Sequence, residues 1–387
     1  MKEGWEYKTL GECCRISDFV SNGSFASLKQ NVNYYYAKNY ALLVRLADNS
    51  NNFDESKFVY TDKHGYDFTS KSHLHGGEII MSNVGSVGSV FICPDLKIPM
   101  TLAPNTISID TEYNRFFYYL FISPSFSSIL SEIVTKTTLK KFNKTNFKKL
   151  IVRVPNSLDE QRRIVSYLDS SFKIIDEIKN KALKSLTEAK ALFQSALAEA
   201  MEPKEGWEEK TFGEICTYHK EQKRENGYKY IGMENIESGT GNLIGYGATD
   251  NVLSSTFFFK KGEVLYGRLR PYLKKVYIAE FDGCCSTEIF PIKTNGVLSG
   301  LIKYWFLTDE ITNKINDTSA GCRMPRGNMN EVLQFHLYIP SDKQSQMQIV
   351  SHLDKLSSKV RAIEEKYQKM VEECDALKQA MLRDVFE

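Results

Sequence analysis

The chain has 387 residues, 42% of them hydrophobic and 12% aromatic, and a formal net charge of +2. That length calls for two domains or more, and that composition supplies packed cores, so a disordered chain is excluded. The near-neutral balance excludes a globally basic nucleic-acid binder and confines any basic surface to local patches.

In chain order, the first segment, 2–12, reads KEGWEYKTLGE and has no apolar signal core, and no run of apolar residues anywhere is long enough to cross a bilayer. Eight cysteines lie scattered without a C-x-x-C pair. These features predict free thiols and a cytoplasmic protein. Strand-like runs follow at 40–46, 77–81, 90–93, 106–109 and 150–154, with an aromatic-rich helix over 115–134. Residues 158–201 contain neither Pro nor Gly, and Ile164, Leu168, Phe172, Ile175, Ile178 and Ala182 recur at gaps of three or four, which predicts one long amphipathic helix.

The chain then begins again. Residues 204–214 read KEGWEEKTFGE, a near-copy of 2–12, after a Pro203 and Gly206 linker that halts the helix. Strands are predicted at 228–233, 263–266, 276–279, 288–292 and 335–339, and a helix at 299–315. A second long helix over 341–386 carries a heptad seam through Ile349, Leu353, Leu356, Val360, Ile363 and Tyr367, continued by Met370, Cys374, Leu377 and Met381. The helices align 185 positions apart, Ile164-Val165-Ser166 with Ile349-Val350-Ser351, and small seam residues in the first copy face large ones in the second. The two are therefore expected to pair with each other. The predicted architecture is α+β: two tandem mixed, strand-rich domains (1–155 and 203–340) separated by an antiparallel pair of long coiled-coil spacer helices (156–202 and 341–387), related by a pseudo-twofold axis.

Comparison of the copies locates the variable chemistry. The strand residues at Gly77, Glu78 and Ile79 match Gly262, Glu263 and Val264, but the turn behind them changes. In the first copy it holds Ser82, Asn83 and Ser86; in the second it holds Arg268 and Arg270 beside Tyr266 and Tyr272. A fixed strand bearing an exchangeable polar loop is the design of a recognition module. A basic stretch over 134–154, with Lys136, Lys140 and Lys141 near Thr138, and another over 260–275, with Lys274, suit a polyanion gripped at two places. The 185-residue alignment puts Thr138 opposite Arg323 and Lys141 opposite Arg326, marking a second variable loop. Arg suits guanine, Asn adenine and Lys phosphate.

No catalytic or metal-binding constellation emerges. Gly85-Ser86-Val87-Gly88 lacks the third glycine of a dinucleotide fingerprint, and there is no Pro-Pro for an amino-group methyltransferase motif. His73-Leu74-His75 has no third ligand, so a surface or phosphate-contacting role is preferred.

The repeated Gly4-Trp5 and Gly206-Trp207 segments, the 77–88 and 262–275 strands with their turns, and Pro155 followed by Leu158-Asp159-Glu160-Gln161-Arg162-Arg163-Ile164 together resemble the specificity subunit of Type I restriction-modification systems over essentially the full length. The second helix start, with Lys343-Gln344 and Gln346, departs from that pattern. The resemblance implies a non-catalytic subunit with two target recognition domains, each reading half of an asymmetric bipartite double-stranded DNA site. It also implies helices that dock two methylation subunits, and restriction subunits in the full complex. S-adenosylmethionine, ATP and Mg are then held by those partners, none by this chain. About 36 helical residues at roughly 1.5 Å each would make a spacer of about 55 Å between the reading heads. The alternative is a non-enzymatic coiled-coil adaptor that binds only protein.

Overall fold

A computed structural model describes residues 4–135, 137–222, 227–319 and 324–387. It divides into two compact units, Met1–Asn180 with Val371–Glu387, and Lys181–Met370. The long helices run Leu158–Met201 and Lys343–Phe386, 44 residues each, and each contributes a segment to both units.

In the first unit, a four-stranded antiparallel sheet has the order Arg15–Asp18, Thr106–Asp110, Ile79–Ser82, Val90–Ile92. Ile79–Ser82 is buried throughout, so its sequence reads as a continuous apolar run and not as an alternation. A second sheet sets Ala41–Val44 parallel to Met100–Leu102, with Tyr60–Thr61 and His73–Leu74 at its edges. A ribbon pairs Trp5–Thr9 with Ile151–Pro155. The ribbon turns into a one-turn helix through a reciprocal cap, in which the Thr9 N–H donates to Glu12 at 2.7 Å.

The long-helix segments of this unit lie antiparallel: Asp176 pairs with Lys378 and Lys179 with Asp375, so numbering rises on one as it falls on the other. Leu168, Leu382 and Phe386 are buried in the domain core with Phe116 and Phe126. Tyr119, itself buried, donates its hydroxyl to Asp169 on the first long helix, and Arg115 donates to the same carboxylate at 2.6 Å. Burial, followed by the Asp169 hydrogen bond, pushes the Tyr119 hydroxyl well above its ordinary pKa.

The second unit repeats this topology. Its antiparallel sheet runs Cys216–Tyr218, Ile289–Thr294, Val264–Gly267, Val276–Ile278; its second sheet sets Lys229–Ile231 parallel to Gly283–Ser286; its ribbon pairs Trp207–Thr211 with His336–Pro340. Thr211 and Glu214 rebuild the reciprocal cap. Tyr304 donates to Asp354 at 2.6 Å, the counterpart of the Tyr119 contact. Phe193, Leu197, Leu353 and Val360 bring both long helices into this unit's core.

Three sequence expectations are corrected. The helix over 115–134 is two, Asn114–Phe121 and Pro124–Ser131, because Pro124 can begin a helix but not continue one and Ser123 caps the new start. The helix over 299–315 also breaks, without a proline, at Thr308, whose hydroxyl caps the new start by accepting the Ile311 N–H, giving Ser299–Leu307 and Asp309–Asp317. Ile178, Ile363 and Leu377, placed in the helix seams by spacing, are 43%, 42% and 51% exposed. A 3.6-residue helix drifts from a heptad repeat, and Leu382 and Phe386 take up the buried face instead. The divergent second helix start keeps the contact that matters: Gln161 donates to Pro155 O at 3.4 Å, and the buried Gln346 donates to Pro340 O at 3.0 Å.

Candidate nucleic-acid interface

The variable turns sit at matching places in the two units and are built by the same backbone hydrogen bonds. In the first unit the chain leaves Ile79–Ser82 and turns at Gly85 and Gly88, whose φ values of +80° and +84° suit glycine. The Asn83 N–H donates to Asn105 O at 3.1 Å, the Phe142 N–H to Asn83 O at 3.1 Å, and the Gly85 N–H to Lys140 O at 2.9 Å. Val84 and Lys141 thereby form a bridge, so the 82–88 turn and the 137–141 loop make one layer.

In the second unit the Arg268 N–H donates to Glu288 O at 2.9 Å, the Gly327 N–H to Arg268 O at 2.9 Å, and the Arg270 N–H to Pro325 O at 2.7 Å, with Leu269 bridged to Arg326. Each bond has its counterpart in the first unit, and the sequence alignment of Lys141 with Arg326 is realised in the backbone. Where the first unit uses Gly85, the second uses Arg270 at φ +53°, a left-handed conformation that costs an L-residue energy and is held here by the Pro325 bond and by Pro271.

Side chains divide into those that face outward and those that do not. Ser86, Thr138, Lys140 and Lys141 are exposed. Ser82 is buried and turns its hydroxyl back onto Val84 O at 3.0 Å, so it shapes the turn. Asn83 is half-buried, and its Oδ1 is shielded without a hydrogen-bond partner among the described residues. Lys136 and Arg323 lie outside the described residues. Of the neighbouring basic residues, Lys144 is tied down by Asp18 at 2.9 Å.

In the second unit Arg270 and Tyr272 are exposed. Two of the expected contact residues are corrected. Tyr266 is 1% exposed and stacked on Phe306 at 4.2 Å, part of the core because its whole strand is buried. Lys274 is folded inward, donating to Leu307 O at 2.9 Å and Gln194 at 3.1 Å and pairing with Asp309, so its charge is already matched. His73 is also corrected: its ring stacks on Tyr66 at 3.7 Å and 7°, and the strand ends at Leu74, so the two histidines do not share a strand face. Among the described residues no group of three His, Cys, Asp or Glu could hold a metal ion.

The residue sequence reasoning missed is Glu288. Arg268 Nε donates to it at 3.1 Å, Arg326 Nε donates to both its oxygens at 2.9 and 3.1 Å, and Arg326 Nη2 lies 2.9 Å from Oε1. Burial alone would raise the Glu288 carboxyl, but the Arg326 hydrogen bond and the Arg268 and Arg326 charges outweigh it and hold the group below its ordinary value. Its structural counterpart is Asn105, since each accepts the N–H of the variable turn. That pair stands 183 residues apart while the turns stand 185 apart, and the slip hides it from a fixed alignment.

The sequence matches the Type I restriction modification DNA specificity domain twice, over residues 2–188 and 204–373. The chain belongs to this family. Two specificity domains in tandem account for its internal repeat. Among curated proteins, the Type I restriction enzyme EcoDI specificity subunit of Escherichia coli is 28% identical over 159 residues, 41% of this chain. The matched part spans about a third, 35%, of that relative's length. A chain solved in work on complex assembly and conformational transition of the type I R-M system is similar in fold, with TM-score 0.76 at 16% identity, covering 100% of this chain and 98% of that one. The HsdS subunit from Thermoanaerobacter tengcongensis gives TM-score 0.53 at 15% identity, over 100% and 97% of the two chains. No helix of the described residues is long and apolar enough to span a membrane.

Proposed function

We propose that this specificity-domain chain reads an asymmetric bipartite DNA site, one unit per half-site, and directs methylation subunits, joined by restriction subunits in the full complex, to that site. The observation that carries this reading is a single loop-layer backbone furnished with two chemistries: Asn83, Asn105 and Lys141 in one unit and Arg268, Glu288 and Arg326 in the other. Phosphate contacts fix position while base edges specify sequence, so a constant frame with exchanged polar tips changes what is read without changing how the domain sits. The exposed Lys140 and Lys141 supply phosphate neutralisation, and Arg270 a fork for base or backbone.

Docking of the methylation subunits falls to the long helices, where Ile174, Ile178, Leu192 and Leu377 leave apolar side chains 43–63% exposed. S-adenosylmethionine, ATP and Mg belong to those partners, and the complex works in the cytoplasm. The test is binding of the chain, assembled with its methylation subunits, to duplexes in which either half-site is scrambled. Arg270→Ala is expected to weaken recognition of one half-site alone by about tenfold or more. Equal loss at both half-sites would refute one-unit, one-half-site reading.

A further inference from the structure

The second unit holds a carboxylate gripped by two guanidinium groups where the first holds the neutral Asn83 and Asn105 beside Lys141. Glu288 is only 21% exposed at its side chain and receives two guanidinium groups, but it does not receive them in the same way. Arg326 approaches along its Nε and Nη2 edge, the fork that a guanidinium would otherwise offer to a planar acceptor. Arg268 gives only Nε, and its terminal Nη1 and Nη2 edge has no partner among the described residues. The Arg268 group also lies 5.1 Å from the centroid of the buried Phe290 ring, which in turn stacks on Tyr218 at 4.9 Å. The Glu288 carboxylate and the Phe290 ring together restrain the Arg268 guanidinium.

We propose that Glu288 is a specificity-determining positioning residue, which aims the terminal edge of Arg268 at a guanine in the second unit's half-site while Arg326 balances its charge. The proposal rests on the base-reading function above and adds a division of labour within it. Arg268 reads, Glu288 aims and Arg326 supports. A guanine presents O6 and N7 as two adjacent acceptors in the major groove, matched by the two terminal nitrogens of one guanidinium, and no other base pair offers that pair of acceptors at that spacing. A carboxylate beside the reading groove also repels phosphate, so Glu288 opposes binding to DNA in general while sharpening binding to the correct base.

The test uses the full chain assembled with its methylation subunits and the site established by genome-wide mapping of modified adenines. Competition binding is measured on duplexes in which each base pair of the second unit's half-site is replaced in turn, for the wild type, Glu288→Gln, Arg268→Ala and the double variant. Both single variants are expected to lose about tenfold or more of the discrimination at the same single G·C pair, with the double variant no worse than Arg268→Ala. Glu288→Gln is further expected to bind non-cognate duplex at least as tightly as the wild type, because one repulsive charge is gone.

If Glu288→Gln keeps full discrimination while Arg268→Ala loses it, the aiming role is wrong and base reading by this unit stands. An even loss at every position of that half-site would reduce Glu288 to a structural prop and overturn the proposal. Should Arg268→Ala leave every position unchanged, the base-reading assignment of this loop fails and the inference fails with it.

Discussion

The loop layer of the first unit ends in Ser86, Thr138, Lys140 and Lys141, with Asn105 beneath the turn; the same layer in the second unit ends in Arg270 and Tyr272, with Glu288 beneath, clamped by Arg268 and Arg326. The bonds that join each turn to its neighbouring loop correspond, although the second turn is one residue longer and closes through a 3-10 turn at Pro271–Leu273, so the frame is shared and the difference lies mainly in side chains. The anchoring contacts below do not differ in kind: the Thr-Glu cap, the Tyr hydroxyl on an Asp of a long helix and the Gln on a Pro carbonyl recur in both units. Duplication has thus kept what holds each loop layer in place and released what the layer presents. Substitutions below the layer should act on the stability of whichever unit carries them, and substitutions within it on recognition.

The largest expected effect lies in the scaffold. Phe212 is fully buried, stacked on Trp305 at 5.0 Å and 12° and edge-on to Phe306. Phe212→Ala should destabilise the second unit by about 3–5 kcal/mol through lost burial and a residual cavity. Calorimetry should then show a lowered transition for one unit with the other unmoved. A uniform shift of both would break the comparison, because it would mean the units do not unfold separately.

Next comes the hydroxyl anchor. Tyr304→Phe removes the 2.6 Å bond to Asp354 and leaves that carboxylate with Lys303 at 3.1 Å, at an expected cost of about 1 kcal/mol. Tyr119→Phe should cost less, since two nitrogens of Arg115, at 3.0 and 2.6 Å, continue to satisfy Asp169. Chemical denaturation of the two variants would check the order, and a larger loss for Tyr119→Phe would contradict it.

These two cases also show what the amino-acid sequence disclosed. The duplication, the long helices and the equivalence of Lys141 with Arg326 were legible because they rest on identity, spacing and the lack of Pro and Gly between 158 and 201. The helix break at Pro124 was missed although Pro itself signals it, because the aromatic run on either side reads as one continuous helix. The interior roles of Tyr266 and Lys274 were not legible, because residue type does not reveal which way a side chain faces, whether on the buried strand that carries Tyr266 or at the end of the short 3-10 turn that carries Lys274. Glu288 was hidden by the two-residue slip that separates its spacing from that of the turn it supports. Cysteine usage gave the simplest inference: among the described residues Cys13, Cys14, Cys93, Cys216, Cys285 and Cys374 are free thiols, and burial pushes the Cys93 and Cys216 thiols up to about 12, far from reactive.

Within the layer, Lys141→Ala should weaken DNA binding at any sequence by a modest factor and lower the slope of log affinity against log salt by about 1. Titration of binding against salt concentration for the assembled complex would measure it. If the variant instead changed base preference in the first half-site, Lys141 would be a reader, and the loop layers would differ less than their side chains suggest.

The smallest effect is one of acidity, and it separates the two layers by chemistry alone. Glu288 is ionised in the folded second unit with a carboxyl held below its ordinary value of 4.5, so the stabilisation from its two arginines is fully present above that value. As pH falls through the lower folded value, the carboxylate takes up a proton, the stabilisation is lost and Arg268 and Arg326 are left facing each other. Asn105, in the equivalent place, does not titrate. Between neutral pH and about pH 5 neither loop layer should change; below about pH 4.5 the second should loosen in hydrogen exchange at Arg268 and Gly327, with no matching change at Asn83 and Phe142. Glu288→Gln should abolish the difference in pH response, because the amide has no charge to lose, and parallel loosening of both layers in the wild type would trace the acid response to the scaffold carboxylates that the units share.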